Sequence, residues 1–254
     1  LYDSLGRKSH ETLPGAGGSS PADKTYAEVT ALSQQTNGDD YVSSEITYDA
    51  AGRPLSVTTP GKAWHEASKS RETEYVANKA SSVRLYKAPM NSISLVEDGY
   101  YAEKTLQGER TVDEDGKEMT VYTDRLGRKV LERRGPESRK GSNDTYFVYN
   151  DLGQLRYVLT PGYEQSGYKD KFAYEYRYDE SGNVVKKFIP GAGYTQYWYD
   201  RAGRLTFMQD ENLRASGLHR FFVYDKAGRQ VIQGVSALCS RGREGNAAAY
   251  TGGS

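Results

Sequence analysis

The chain has 254 residues, and its 34 Lys and Arg balance 34 Asp and Glu to a formal net charge of zero. That balance excludes the basic footprint by which proteins hold nucleic acid or an anionic membrane. No apolar run approaches the roughly 18 residues a transmembrane helix needs, and the single cysteine, Cys239, excludes an internal disulfide.

From its second residue the chain repeats one pattern: Tyr-Asp, two variable residues, Gly, then a long polar side chain. It reads Tyr2-Asp3-Ser4-Leu5-Gly6-Arg7, then Tyr48-Asp49-Ala50-Ala51-Gly52-Arg53. Val112-Asp113-Glu114-Asp115-Gly116-Lys117 is a degenerate copy, and Thr123-Asp124-Arg125-Leu126-Gly127-Arg128 lacks only the Tyr. Tyr149-Asn150-Asp151-Leu152-Gly153-Gln154 and Tyr178-Asp179-Glu180-Ser181-Gly182-Asn183 follow. The last copies are Tyr199-Asp200-Arg201-Ala202-Gly203-Arg204 and Tyr224-Asp225-Lys226-Ala227-Gly228-Arg229. Repetition at this scale is the mark of a small unit copied into an extended array.

Asp-x-x-Gly has the chemistry of a tight reversal. Asp bonds the backbone two residues on, and Gly accepts a positive φ. A type I turn followed by left-handed Gly is a common three-residue hairpin loop. In that register Asp and Arg face each other across the strand ends, an exposed pair contributing roughly 0.2–1 kcal/mol. The flanks alternate at period two, as in Tyr174/Tyr176/Tyr178, Tyr197/Tyr199, Phe222/Tyr224 and Leu205/Phe207, which is the period of strands. Pro14-Gly15, Pro60-Gly61, Pro161-Gly162 and Pro190-Gly191 mark turns on the opposite rim. The fold class is therefore all-β and mainly antiparallel: a hairpin meander forming an extended, twisted sheet or partial shell, with one or two short helices in insertions.

Residues 1–61 hold the first hairpins. Between them Asp23 is placed to cap a short helix through Tyr26, Val29 and Leu32 that ends near Asn37-Gly38. Residues 62–110 form an irregular β-rich insertion with strands expected at 72–76, 83–86 and 100–106. Residues 111–235 are the regular meander, with a helical turn over Asp210–Gly217. Residues 236–254, which include Cys239, read as a flexible tail. Because the chain opens at Leu1 inside a repeat with no initiator Met, it reads as a piece of a longer protein. The 22 Tyr against 6 Phe point to half-wet positions rather than a dry core, since a Tyr hydroxyl needs a partner when buried.

Catalytic and metal signatures are lacking. His10, His65 and His219 are scattered and read as exposed strand or loop residues. Asp113-Glu114-Asp115-Gly116 with Glu118 misses calcium-loop spacing and reads as an acidic hairpin tip. Gly15-Ala16-Gly17-Gly18 and Pro190-Gly191-Ala192-Gly193 lack the Lys-Ser/Thr of a phosphate loop, and Arg133-Arg134 with Arg139-Lys140 reads as a solvated loop. The sequence calls for no cofactor and no catalytic residue. Trp64 and Trp198 are the candidates for stacking on sugar rings, set against cross-strand packing.

The repeated hexapeptides resemble the YD-repeats of RHS-repeat proteins, with Tyr199–Leu205 the best copy. The stretches Tyr48–Trp64, Asp151–Pro161 and Gln209–Arg214 resemble a domain of unknown function upstream of the RHS core. The resemblance implies a secreted or surface-delivered protein whose repeats wind a β-sheet into a hollow shell around a variable C-terminal effector. Its partners would be adjacent repeats and that effector, with carbohydrate as a further ligand proposed for such repeats. The family's self-cleaving Asp-Pro motif has no counterpart here. The expected role is a structural segment of such a shell; the alternative is a carbohydrate- or protein-binding surface module.

Overall fold

A computed structural model describes residues 1–16, 24–89, 94–136 and 143–237. Cys239, Asp23, Gly17-Gly18 and Arg139-Lys140 lie outside the described residues. The chain divides into two compact units, one of residues 1–83 and 100–140 and one of residues 84–99 and 141–254.

In the first unit β1 (His10–Thr12) is followed by α1 (Tyr26–Asn37), β2 (Ser43–Tyr48) and β3 (Pro54–Thr58). α2 (Lys62–Glu66) leads to β4 (Arg71–Ala77). The segment that follows supplies β5 (Arg84–Lys87) and β6 (Val96–Tyr100), which pair with each other. β7 (Gln107–Val112), β8 (Glu118–Thr123) and β9 (Lys129–Arg134) complete the first unit. Its strand order is β1-β2-β3-β4-β7-β8-β9, and these neighbours pair antiparallel. Val42, Val83, Leu106, Val130 and Leu131 form its buried apolar core. Buried Asn78 ties that core together: its Nδ2 donates to the Ala102 carbonyl at 2.8 Å and its Oδ1 accepts from the Leu106 amide at 2.8 Å.

The second unit is the more regular. β10 (Asp144–Tyr149) and β11 (Leu155–Leu159) form a hairpin, and α3 (Pro161–Ser166) and α4 (Lys169–Phe172) lead to β12 (Ala173–Tyr178). β13 (Val184–Ile189), β14 (Gly193–Tyr199) and β15 (Leu205–Gln209) follow, then α5 (Glu211–Ala215), β16 (His219–Tyr224) and β17 (Gln230–Ser236). Each strand pairs antiparallel with the next. β10 alternates buried and half-buried residues, whereas β13 and β14 are half-buried throughout. So Tyr146, Val148, Tyr157 and Leu159 build a core at one end, and Tyr86 meets Tyr146 edge-on at 5.1 Å. Further along, the strands are half-buried throughout, in line with the half-wet positions expected from the tyrosine content.

Several local expectations change. α1 is capped by Thr25, whose hydroxyl accepts the Glu28 amide at 3.3 Å while Glu28 accepts the Thr25 amide at 2.7 Å. This reciprocal cap takes the role assigned to Asp23. The helix ends at Gly38 as expected, in the left-handed conformation. Only Pro190-Gly191 makes a tight turn, with the Ala192 amide donating to the Ile189 carbonyl at 3.1 Å and Gly191 at φ 77°. Pro161 instead starts α3, where its missing amide costs nothing, and Gly61 caps α2. Gly15 packs on α1: a Cβ there would sit 2.8 Å from the Ser33 nitrogen. The strand expected at 100–106 is displaced. β6 ends at Tyr100, and turn residues follow, with the Lys104 amide bonded to the Asn78 carbonyl at 2.9 Å. Asp210 caps α5 by accepting the Leu213 amide at 2.8 Å.

Candidate functional site

The repeated hexapeptides all make the same reversal. In each, the Gly amide donates back to the carbonyl of the Asp or Asn, and the amide of that Asp or Asn donates to the carbonyl of the residue after the Gly. At Asp200 these bonds are 3.0 and 3.0 Å; at Asn150 both are 2.9 Å. Gly6, Gly52, Gly116, Gly127, Gly153, Gly182, Gly203 and Gly228 have φ between 75° and 85°, where a side chain costs about 1 kcal/mol or more. One carboxylate oxygen of Asp200 accepts the Ala202 and Arg204 amides at 2.9 and 3.0 Å, and the other accepts Arg204 Nε at 2.8 Å. Asp3–Arg7, Asp49–Arg53, Asp124–Arg128 and Asp225–Arg229 make the same ion pair at 2.7–2.8 Å. Asn150 and Gln154 reproduce the arrangement without charge: Asn150 Oδ1 accepts the Leu152 and Gln154 amides, and its Nδ2 donates to Gln154 Oε1 at 2.8 Å. Asp179 uses Asn183 at 3.0 Å. The aspartate thus binds inside its own turn, beyond the exposed cross-strand pair expected from sequence.

These bonds hold the carboxyls below the usual range. For Asp3, Asp49 and Asp225 the leading cause is the bond from the amide of the paired Arg, and the guanidinium of that Arg pulls in the same direction. For Asp179 it is the Asn183 side chain. At Asp124 and Asp200 partial burial is the largest influence and works upward, but the Arg and amide bonds outweigh it.

A second feature recurs beside the turns. Tyr199 pairs with Leu205 but Trp198 pairs with Phe207, so Thr206 is an extra residue. The same one-residue bulge inserts Leu55, Val130, Arg156, Val185 and Val231. It is absent beyond Asp113, where Val112 pairs with Glu118 in unbroken register, so the turn does not itself force it. On the strand that follows each of these turns, the ladder to the next hairpin stops at His10, Ser56, Tyr157, Lys186 and Phe207.

Two residues before each of those positions lies a carbonyl that the ladder leaves open, and a tyrosine hydroxyl of the next hairpin or strand fills it. Tyr48 donates to Lys8 at 2.7 Å, Tyr75 to Pro54 at 3.2 Å, and Tyr178 to Leu155 at 2.7 Å. Tyr199 donates to Val184 at 3.0 Å and Tyr224 to Leu205 at 2.9 Å. The Leu155, Val184 and Leu205 carbonyls are part-buried, where a carbonyl outside the ladder needs such a partner. The ring is used as well. The guanidinium carbons of Arg7, Arg53 and Arg204 lie 4.7, 3.9 and 5.1 Å from the ring centres of Tyr48, Tyr75 and Tyr224, within cation–π range. Asp, Arg, the open carbonyl and the following Tyr form one clasp between consecutive hairpins. Extending each ladder places that Tyr directly opposite the residue in the Arg position.

Tyr2 stands outside such a clasp, bridged to Lys8 and largely exposed. Tyr149 closes β10 opposite Leu155. Trp64 lies on α2, partly exposed, with Lys69 Nζ 5.8 Å from its ring. Trp198 lies on β14 in the second unit, half-buried, 5.5 Å from the His219 ring. His219 is buried, not exposed as expected, because it opens β16 beneath that Trp. His65 stacks on Tyr41 at 4.8 Å. At the acidic tip, Asp113 Oδ1 accepts the Asp115 and Lys117 amides at 3.0 and 2.8 Å, and Glu118 pairs with Arg110 at 2.9 Å. Among the described residues no helix is long and apolar enough to cross a membrane. Sequence reasoning missed the clasp. Its signal was present in the fixed place of Tyr before Asp, where period-two alternation alone would accept any apolar residue.

No family model matches the sequence, and no curated protein matches it. Solved structures do. A crystal structure of TcdB2-TccC3 without its hypervariable C-terminal region matches over 93% of this chain and 10% of that one, at TM-score 0.56 and 14% identity. TcdB2-TccC3-Cdc42 matches with the same coverages at TM-score 0.55 and 14% identity, and TcdB2-TccC3-TEV at TM-score 0.54 and 15% identity. This chain shares its fold with a stretch of TcdB2-TccC3. It spans about a tenth of the length of the structures it matches.

Proposed function

We propose that this chain is a wall segment of an RHS/YD-repeat shell, delivered outside the cell, that encloses or presents an effector domain. The observation that carries this reading is the clasp. Five hairpins leave open a carbonyl that a Tyr of the next hairpin or strand completes, and in three of them the same ring covers the turn's guanidinium. A unit of that kind gains from being copied end to end, and its working part is the surface it makes. The likeness to TcdB2-TccC3 supports the same reading at the level of fold. A wall needs no catalytic residue, and the ionised Asp side chains are spent on their own turns.

The carbohydrate-binding alternative draws on a cleft of about 480 Å³ in the second unit, lined by Tyr197, Trp198, Asp179, Asn183 and Asp200 among others. Both oxygens of Asp179 and of Asp200 are already bonded within their turns, so the wall role is the better fit. Electron cryomicroscopy of the longer protein tests it. The expected map shows these strands in a sheet around a lumen that holds a separate domain. A solid, helix-capped sheet with no lumen would overturn the proposal.

A further inference from the structure

A cleft of about 200 Å³ in the second unit is lined by none of the turn or clasp residues. Its floor is one row of the sheet: Tyr157 pairs with Glu175, Glu175 with Phe188, and Phe188 with Tyr194, across β11 to β14. Two residues along the same face, Arg177 pairs with Lys186. Lys169 and Asp170 of α4 line the cleft as well. Like charges directly opposite each other destabilise a sheet, and the neighbouring carboxylate does not cancel both. Glu175 Oε1 accepts Arg177 Nε at 2.8 Å and Arg156 Nη1 at 3.3 Å. Lys186 Nζ instead rests 3.7 Å from the centre of the Tyr194 ring, and Lys169 Nζ 5.4 Å from that of Tyr157. Among the described residues neither lysine has an ion pair. Arg156, Lys169, Arg177 and Lys186 thus face only two carboxylates, Asp170 and Glu175.

We propose that this cleft binds a small organic anion, with its carboxylate between Arg177 and Lys186 and its flat apolar body against Phe188 and Tyr194. Arg177 gives its Nε to Glu175, which leaves the Nη groups to fork onto a carboxylate. An anion between Arg177 and Lys186 turns an opposed pair of cations into a shared ion pair. The aromatic row supplies the apolar wall that such sites use to hold the body of a ligand. The volume lies below the roughly 300–1,000 Å³ of sites for drug-sized ligands, so the occupant is a single small molecule. The site goes beyond the wall reading and stands whatever the chain encloses.

Benzoate is the probe, titrated into the whole chain and followed through backbone amide resonances. Shifts centred on residues 175–177, 186–188 and 194 are expected, half-complete near about 1 mM. Benzamide, which has the same shape without the charge, should bind at least about fivefold more weakly. Lys186→Gln should weaken benzoate by about fivefold, the loss of one bond to a charged group at a half-exposed site. Lys187→Gln should leave binding unchanged, because successive side chains point to opposite faces of the sheet. Should Lys186→Gln fail to fold, Lys169→Gln on α4 should weaken benzoate about twofold through the lost long-range attraction. The proposal is overturned by an absence of shifts up to about 10 mM benzoate, by equal binding of benzamide, or by equal losses from Lys186→Gln and Lys187→Gln. Inorganic phosphate binding as tightly as benzoate would also overturn it, because the aromatic row would then contribute nothing.

Discussion

Tyr178→Phe deletes one oxygen from the second unit and nothing else. Its hydroxyl donates to the Leu155 carbonyl at 2.7 Å, and burial pushes its pKa up, chiefly by withdrawing it from water. The change removes one net hydrogen bond, worth about 1 kcal/mol, and the cost rises toward about 2 kcal/mol if the Leu155 carbonyl finds no water. With a urea slope of about 2 kcal/mol per molar, the unfolding midpoint should fall by roughly 0.5–1 M. Tyr197→Phe is the matched control, because Tyr197 is also half-buried in the same sheet and neighbours a clasp tyrosine in sequence. It should shift the midpoint by less than about 0.2 M, in line with an ordinary surface change. Equal midpoints for Tyr178→Phe, Tyr197→Phe and the parent would refute the role given to the hydroxyl.

Gly203→Ala should cost about 1–2 kcal/mol by urea unfolding, purely from φ 75°, since nothing lies within 4 Å of a Cβ there. Gly108→Ala should cost a similar 1–3 kcal/mol for the opposite reason: its Cβ would meet Tyr122 and Val76 at 2.8 Å. The turn aspartates have folded pKa values below their unfolded value of about 3.9, so their stabilisation is present above that pH and lost as pH falls through the folded values. Melting temperature measured against pH should therefore drop below about pH 4. The double change Asp200→Asn with Arg204→Gln, which copies Asn150–Gln154, should flatten that drop while leaving the neutral-pH melting point within a few degrees.

The reversals were legible in the sequence because each is local. Asp supplies the turn's acceptor, Gly its left-handed position, and both lie within four residues of each other. Strand alternation was legible for the same reason, and the helical turn expected over Asp210–Gly217 forms as α5. The clasp was not, because its halves are far apart in sequence: Lys8 and Tyr48 lie forty residues apart. The bulge that opens the carbonyl leaves no distinctive residue signature: Leu55, Val130, Val185 and Val231 are aliphatic as in any strand, while Arg156 and Thr206 hold the same place. Pro161-Gly162 was ambiguous for a different reason. Pro suits both a turn and a first helical position, and the packing of Gly162, where a Cβ would fall 2.4 Å from the Phe172 ring, is a tertiary constraint. His219 was misjudged as exposed because strand periodicity says which residues share a face and not which face is covered.

The direct test of coupling between consecutive hairpins is a double-mutant cycle on Arg204 and Tyr224, using Arg204→Ala, Tyr224→Leu and the pair, with stability read from urea unfolding. The clasp predicts that the two losses fall short of additive by about 0.5–1 kcal/mol, the worth of a cation–π contact at a partly exposed site. Strict additivity would mean that each hairpin stands alone and that the repeat is not a device for joining one to the next.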